Sequence, residues 1–199
     1  MGALIPPHGG YRKLLSYKLA ALLYDATVPF VERYIDRRSR TCDQMVQAAC
    51  SGVANIVEGS EAAATSQKTE LKLTNVAKAS LEELLFDYQA FLRQRGLPEW
   101  PPDSREALEV RNSRPESLAA LRRLMARLVK ESSDGSDPSD KSDKKAEVAA
   151  NTMICLVNQC TYLLHRQLAD QEERFLREGG FTERLYRERS ARREQDKLK

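Results

Sequence analysis

Thr69–Leu85 reads TELKLTNVAKASLEELL, and the chain runs on through FDYQAF to Phe91. Leu73, Ala77, Leu81, Leu84, Tyr88 and Phe91 return at three- and four-residue steps, the spacing that lines one face of an α-helix. Thr65 or Ser66 offers a start, and Gly96 a stop just past Arg95. The spacing predicts a helix of roughly 30 residues, about 45 Å long at 1.5 Å per residue.

Two more periodic stretches precede it. From Tyr11 to about Arg37, Leu15, Leu19, Leu22, Leu23, Ala26, Phe30 and Tyr34 form a core face, with Pro29 kinking the helix without ending it. Thr41 is the expected N-cap of a second helix that closes at Gly59. Its apolar side is Met45, Val46, Ala49, Val53, Ile56 and Val57, flanked by a seam of Ala48, Gly52, Asn55 and Gly59. A glycine inside a helix costs about 1 kcal/mol against alanine. The seam therefore reads as a line of close helix approach, or alternatively as a groove around Asn55.

Beyond Gly96 the pattern loosens. Leu97–Pro102 holds three prolines around the only tryptophan. Asp103 with Glu106 suggests a capping box for a short helix, and Pro115–Lys130 carries Leu118, Leu121, Leu124, Met125 and Leu128. Ser132–Lys145 has no apolar side chain and reads as a disordered linker. A strong helix follows from about Ala146 to Arg177. Gly179 and Gly180 break it, and a charged helical tail starts near Thr182. Hairpin signals are missing, so the fold class is all-α.

Two helices carry more apolar surface than one buried stripe requires. The first adds Tyr17, Tyr24, Val28, Val31 and Ile35 behind its core face. The last adds Met153, Val157 and Leu164 beside Val148, Leu156 and Leu163. The surplus faces either the 115–130 helix or a second copy of the chain, and the second reading is favoured because two helices carry it. Asn151, Asn158 and His165 form a polar line on the last helix, either a solvated edge or a ladder that sets register in an oligomer.

Thirty-two Lys and Arg oppose 29 Asp and Glu, a net charge of only +3 over 199 residues. The excess sits at the ends: residues 11–40 hold seven basic and three acidic residues, and residues 181–199 seven and four. The first group includes Arg37, Arg38 and Arg40, which also suit a helix C-terminus without any partner. The second includes Arg184, Arg187, Arg189, Arg192 and Arg193, interleaved with acids as on a solvated helix. Both groups are candidate phosphate contacts for RNA or DNA, more so if an assembly repeats them.

No nucleophile–base set, phosphate loop or zinc spacing emerges, so neither an enzyme, a metal nor a cofactor is expected. The four cysteines read as small hydrophobes. An uncharged apolar run of membrane-spanning length is absent, and Met1–Gly10 lacks the apolar core of a secretory signal. A cytoplasmic setting is expected.

Residues 11–100 resemble the four-helix bundle proteins encoded in intervening sequences of bacterial 23S ribosomal RNA genes, in particular the subgroup with a four helix bundle suffix domain. The resemblance rests on Tyr17–Tyr24 (YKLAALLY), Arg40–Ala49 (RTCDQMVQAA), Ser51–Ser60 (SGVANIVEGS), Thr69–Leu85 and Arg95–Trp100 (RGLPEW). Asn55–Ile56 and Glu58–Gly59 match the family's Asn-Ile-x-Glu-Gly signature. Asn151–Gln167 and Phe175–Arg184 are similar to the subgroup's last helix and suffix. The resemblance implies an antiparallel four-helix bundle that assembles as a homopentamer. One relative, the accessory protein of diversity-generating retroelements, binds a reverse transcriptase and nucleic acid.

The resulting expectation has five parts: a disordered start (1–10), three bundle helices (11–100), a helical insert before the last bundle helix (101–144), that helix (145–178), and a basic helical suffix (179–199). Its expected role is a non-enzymatic homo-oligomeric scaffold or adaptor with RNA, DNA or a reverse transcriptase as partner. The alternative is a pure protein-interaction module docking through the surplus apolar face or the insert helix.

Overall fold

The computed structural model describes residues 10–132 and 138–197, and among these every regular element is helical. The start 1–9, part of the expected linker (133–137) and the last two residues lie outside the described residues.

The first helix is shorter than its periodicity predicts. Gly10–Lys13 is a 3-10 turn and α1 spans Leu15–Tyr34, continuing through Pro29. It stops before Arg37 because Ile35 turns extended and Asp36 nucleates a turn, with its carboxylate accepting from Arg38 N–H at 2.9 Å and its carbonyl from Ser39 N–H at 2.8 Å. Helix α2 (Arg40–Ala62) is capped by Ser39, not Thr41, whose own N–H donates to the Ser39 hydroxyl. Nor does Gly59 end it. A Cβ there would lie 3.3 Å from Leu73 Cβ, so Gly59 sits inside the helix as a contact point.

Helix α3 (Gln67–Gln94) starts where the sequence places it, with the Ser66 hydroxyl accepting from Thr69 N–H. At its other end Gly96 has φ +64°. Gly96 N–H donates to the Arg93 carbonyl and Leu97 N–H to the Leu92 carbonyl, the paired bonds of a Schellman stop. Helix α4 (Arg105–Ser113) takes Ser104 as its cap, one residue after the expected Asp103. Helix α5 spans Leu118–Ser132.

The larger correction concerns α6, which runs Pro138–Glu178. Residues 138–145, expected to be linker, are helical. Once Ala146–Met153 are anchored in the core, adding a residue at the free end needs no new nucleus, and proline is tolerated at the first helical position. Helix α7 (Phe181–Lys197) follows a glycine at φ +70°. Glu183 accepts from Gly180 N–H at 2.9 Å, which fixes its first turn.

Helices α1, α2, α3 and α6 touch in cyclic order, and α4 and α5 lie against α6, with α5 also reaching α1. Ser51 pairs with Ser80 and Gly59 with Leu73, so α2 and α3 are antiparallel. Ser16 donates to Gln167 while Phe30 shares a cleft with Ala149 and Met153, so α1 and α6 are antiparallel too. One apolar cluster joins Leu23, Met45, Ile56, Leu81, Leu84 and Leu156 to Val110, Leu121 and Leu128 of α4 and α5. At its centre Tyr88 is fully buried. The Thr27 hydroxyl donates to the Leu23 carbonyl at 2.7 Å, which leaves its oxygen to accept from Tyr88 at 3.0 Å. Burial pushes the Tyr88 phenol far above its ordinary range.

Candidate functional site

The surplus apolar stripes have two different fates. Met153, Val157 and Leu164 are buried within the chain, as is Val31. Leu121, Leu124 and Leu128 of α5 and Val110 of α4 join the cluster that holds them. Met153, Val157, Leu164 and Val31 therefore offer no surface to a second copy. The apolar face of α5 is occupied in the same cluster. On α1, Tyr17, Tyr24, Val28 and Ile35 stay half-buried. Leu15, assigned by spacing to the core face, is 65% exposed because it opens the helix beyond the reach of its neighbours.

The small-residue seam lies where α2 meets α3. A Cβ on Gly52 would stand 2.8 Å from Leu81 Cδ2, and Ala48 and Gly59 are buried. Asn55 turns back on its own helix, its amide donating to the Ser51 carbonyl at 2.8 Å and to the Ser51 hydroxyl at 3.1 Å. Ser51 in turn meets the Ser80 hydroxyl at 3.0 Å. These bonds fill the space around Asn55 with intrachain contacts.

The polar line separates. Asn158 and His165 are exposed, whereas Asn151 is buried and grips the proline-rich segment. Its Oδ1 accepts from Trp100 N–H at 2.7 Å and its amide donates to the Pro98 carbonyl at 2.9 Å. The Trp100 indole N–H donates to Glu147 at 3.1 Å.

The two basic groups are not brought together. Arg37 and Arg38 follow α1 and Arg40 opens α2, all three exposed. Arg184 instead donates to the Ala64 carbonyl beyond the far end of α2. Across the 23 residues of α2 the two groups are separated by about 35 Å. Helix α7 has no buried residue. Arg184 and Arg187 are spent on main-chain carbonyls of Ala64 and Glu178. Arg189, Arg192 and Arg193 are exposed and, among the described residues, have no hydrogen-bond or ion-pair partner. At 100° per residue these three fall within one 100° sector of the helix.

Sequence reasoning missed two features. The first is a buried ionic contact between α3 and the C-terminal part of α6: Glu70 is 8% exposed and accepts from Gln171 at 3.0 Å and from Arg174 at 2.7 Å. A lone glutamate in an otherwise amphipathic pattern carried no signal for it. The second is a cleft of about 570 Å³ between α1, α5 and α6. Phe30, Met125 and Met153 line it together with Arg33, Arg37 and Arg122. Only the packing of α5 creates it, so no local pattern announces it.

The four cysteines are free thiols. Burial pushes Cys155 up to about 11 and Cys160 up to about 12, which opposes thiolate chemistry at either. Among the described residues no helix is long and apolar enough to cross a membrane. Compared with protein-family models, with curated proteins and with solved structures, the chain finds no match.

Proposed function

We propose that the chain is a non-enzymatic scaffold whose exposed basic helix α7 binds RNA or DNA. The observation that carries this reading is the state of α7: a helix without a buried residue, presenting Arg189, Arg192 and Arg193 unpaired on one side. A helix that is polar all round gains nothing from its own core, and unpaired guanidiniums suit phosphate oxygens.

The cyclic contacts of α1, α2, α3 and α6 support an antiparallel four-helix bundle, with α4 and α5 as the insert and α7 as the suffix. The half-buried stripe Tyr17, Tyr24, Val28 and Ile35 supports self-association into a homo-oligomer, a pentamer on the family resemblance. An assembly would bring several α7 helices to one nucleic acid. That multiplication is what a single chain with three free arginines needs, since affinity grows with each neutralised phosphate.

The test has two arms. Light scattering at micromolar concentration is expected to give a multiple of 22.5 kDa, and a monomer overturns the assembly. Fluorescence anisotropy with a 20-nucleotide RNA and its DNA equivalent is expected to show binding that weakens with salt. Three contacts per chain give a log–log slope of about −2 to −3. Substituting Arg189→Glu, Arg192→Glu and Arg193→Glu together should abolish binding. Binding that ignores salt or survives the triple substitution overturns the nucleic-acid reading.

A further inference from the structure

The cleft between α1, α5 and α6 combines an apolar floor with a basic rim. Phe30 and Met153 are buried beneath it and Met125 is half-buried, so Met125 is the flexible thioether that a ligand can reach. Methionine side chains repack around differently shaped apolar groups at little cost. On the rim, Arg33 stands in the last turn of α1, Arg37 in the turn that follows it, and Arg122 on α5. All three are exposed. Arg33 rests on Tyr34, 5.6 Å from the ring centroid, while Arg37 and Arg122 have no hydrogen-bond or ion-pair partner among the described residues. Glu32 is the sole acidic residue in the lining, against three guanidiniums.

We propose that this cleft is a docking site for an acidic peptide segment, one that inserts an apolar side chain over Met125 and places carboxylates against Arg33, Arg37 and Arg122. Charge complementarity selects the occupant. The three cations come from α1, the turn after it and α5, so a molecule with a single anionic head on an apolar tail would meet only part of them. A segment with acids on both sides of an apolar anchor meets them all, and each guanidinium accepts a carboxylate in a two-bond fork. The cleft volume of about 570 Å³ accommodates two or three apolar side chains. The site lies apart from α7, so it stands or falls separately from the nucleic-acid reading.

The experiment selects a displayed library of random 12-residue peptides on the full chain. Enriched peptides are then titrated onto protein carrying ¹³C-methyl methionine. The expected result is enrichment of Asp/Glu-flanked Leu, Phe or Trp. These peptides should shift the methyl signal of half-buried Met125 and leave that of fully buried Met45 in place. Substituting Arg33→Glu, Arg37→Glu and Arg122→Glu together should weaken them at least tenfold, with circular dichroism checking that the helices persist. The α7 substitutions should leave them unchanged.

Absence of enrichment, selected peptides without acids, an unmoved Met125 signal, or undiminished binding to the rim variant each overturn the proposal. Oleate or an RNA oligonucleotide that moves the Met125 methyl and displaces the peptides would reassign the cleft to lipid or to nucleic acid, and so overturn it as well.

Discussion

The backbone N–H of Trp100 donates to the side chain of Asn151 across 2.7 Å, linking the segment after α3 to the middle of α6. The same side chain reaches the Pro98 carbonyl. One amide thus satisfies main-chain groups that the prolines around Trp100 keep out of any helix.

Asn151→Ala is expected to lower stability by about 2–4 kcal/mol, since two backbone groups lose their partner in a half-buried setting. Urea denaturation measures the loss. Fluorescence should shift to the red in the native variant, because Trp100 also loses the register that holds its indole on Glu147. A native spectrum like that of the wild type would show the segment held by other contacts.

Gly52→Ala should destabilise despite the better helix propensity of alanine. The propensity gain is about 1 kcal/mol, but the new methyl would lie 2.8 Å from Leu81 Cδ2, inside a fully buried contact. Overpacking of this kind costs about 1–3 kcal/mol. In a Leu81→Ala background the same substitution should become neutral or favourable, a coupling that a double-mutant cycle reads directly.

Arg174→Met removes the partner of a carboxylate that is 10% exposed as a side chain. Because Arg174 itself is 41% exposed, the loss is expected at about 1–3 kcal/mol, below that of a fully buried pair. Adding Glu70→Gln should recover most of it, since Gln171 can still bond a neutral amide. Thermal melts of the three variants decide the order.

Alkaline pH should weaken the fold through Cys160. Its thiol is raised to about 12 by burial, against an ordinary value of 9.0. Below pH 9 both folded and unfolded chains hold the proton and stability is independent of this group. Above it the unfolded chain ionises first, so stability falls by up to about 1.4 kcal/mol per pH unit until pH 12, where the folded thiol ionises as well. Cys160→Ala should flatten that slope in denaturation curves taken between pH 8 and 10.5. In native protein at pH 8, exposed Cys50 should react with a maleimide well before Cys160.

The long apolar faces were readable because each repeats a period over many residues. Leu81, Leu84 and Tyr88 are buried as their spacing demands. Caps were read one or two residues off at Thr41 and Asp103, where a neighbouring serine competes for the same orphan N–H groups. Composition misled over 138–145, since a helix anchored further on can extend through polar residues. The contents of the candidate sites were less legible. Arg189, Arg192 and Arg193 were visible as charges, but their separation from Arg184 and Arg187 depends on which carbonyls lie within reach. The cleft depends on where α5 lands, and nothing local encodes that.

The way α4 and α5 share the apolar cluster with α6 has a consequence for how the chain loses its structure. Helices α1, α2, α3 and α6 already touch in cyclic order without α4 and α5. Yet Val110, Leu121 and Leu128 are buried in the same cluster as Leu156 and Val157, so excising residues 103–144 would strip buried side chains from it and uncover the side of α6 against which α4 and α5 lie. The two regions should therefore melt in a single cooperative step, with calorimetric and van't Hoff enthalpies in agreement. Polar substitutions on the exposed sides of α4 and α5 should leave that single step in place, whereas polar substitutions at Val110, Leu121 or Leu128 should lower the temperature of the whole transition.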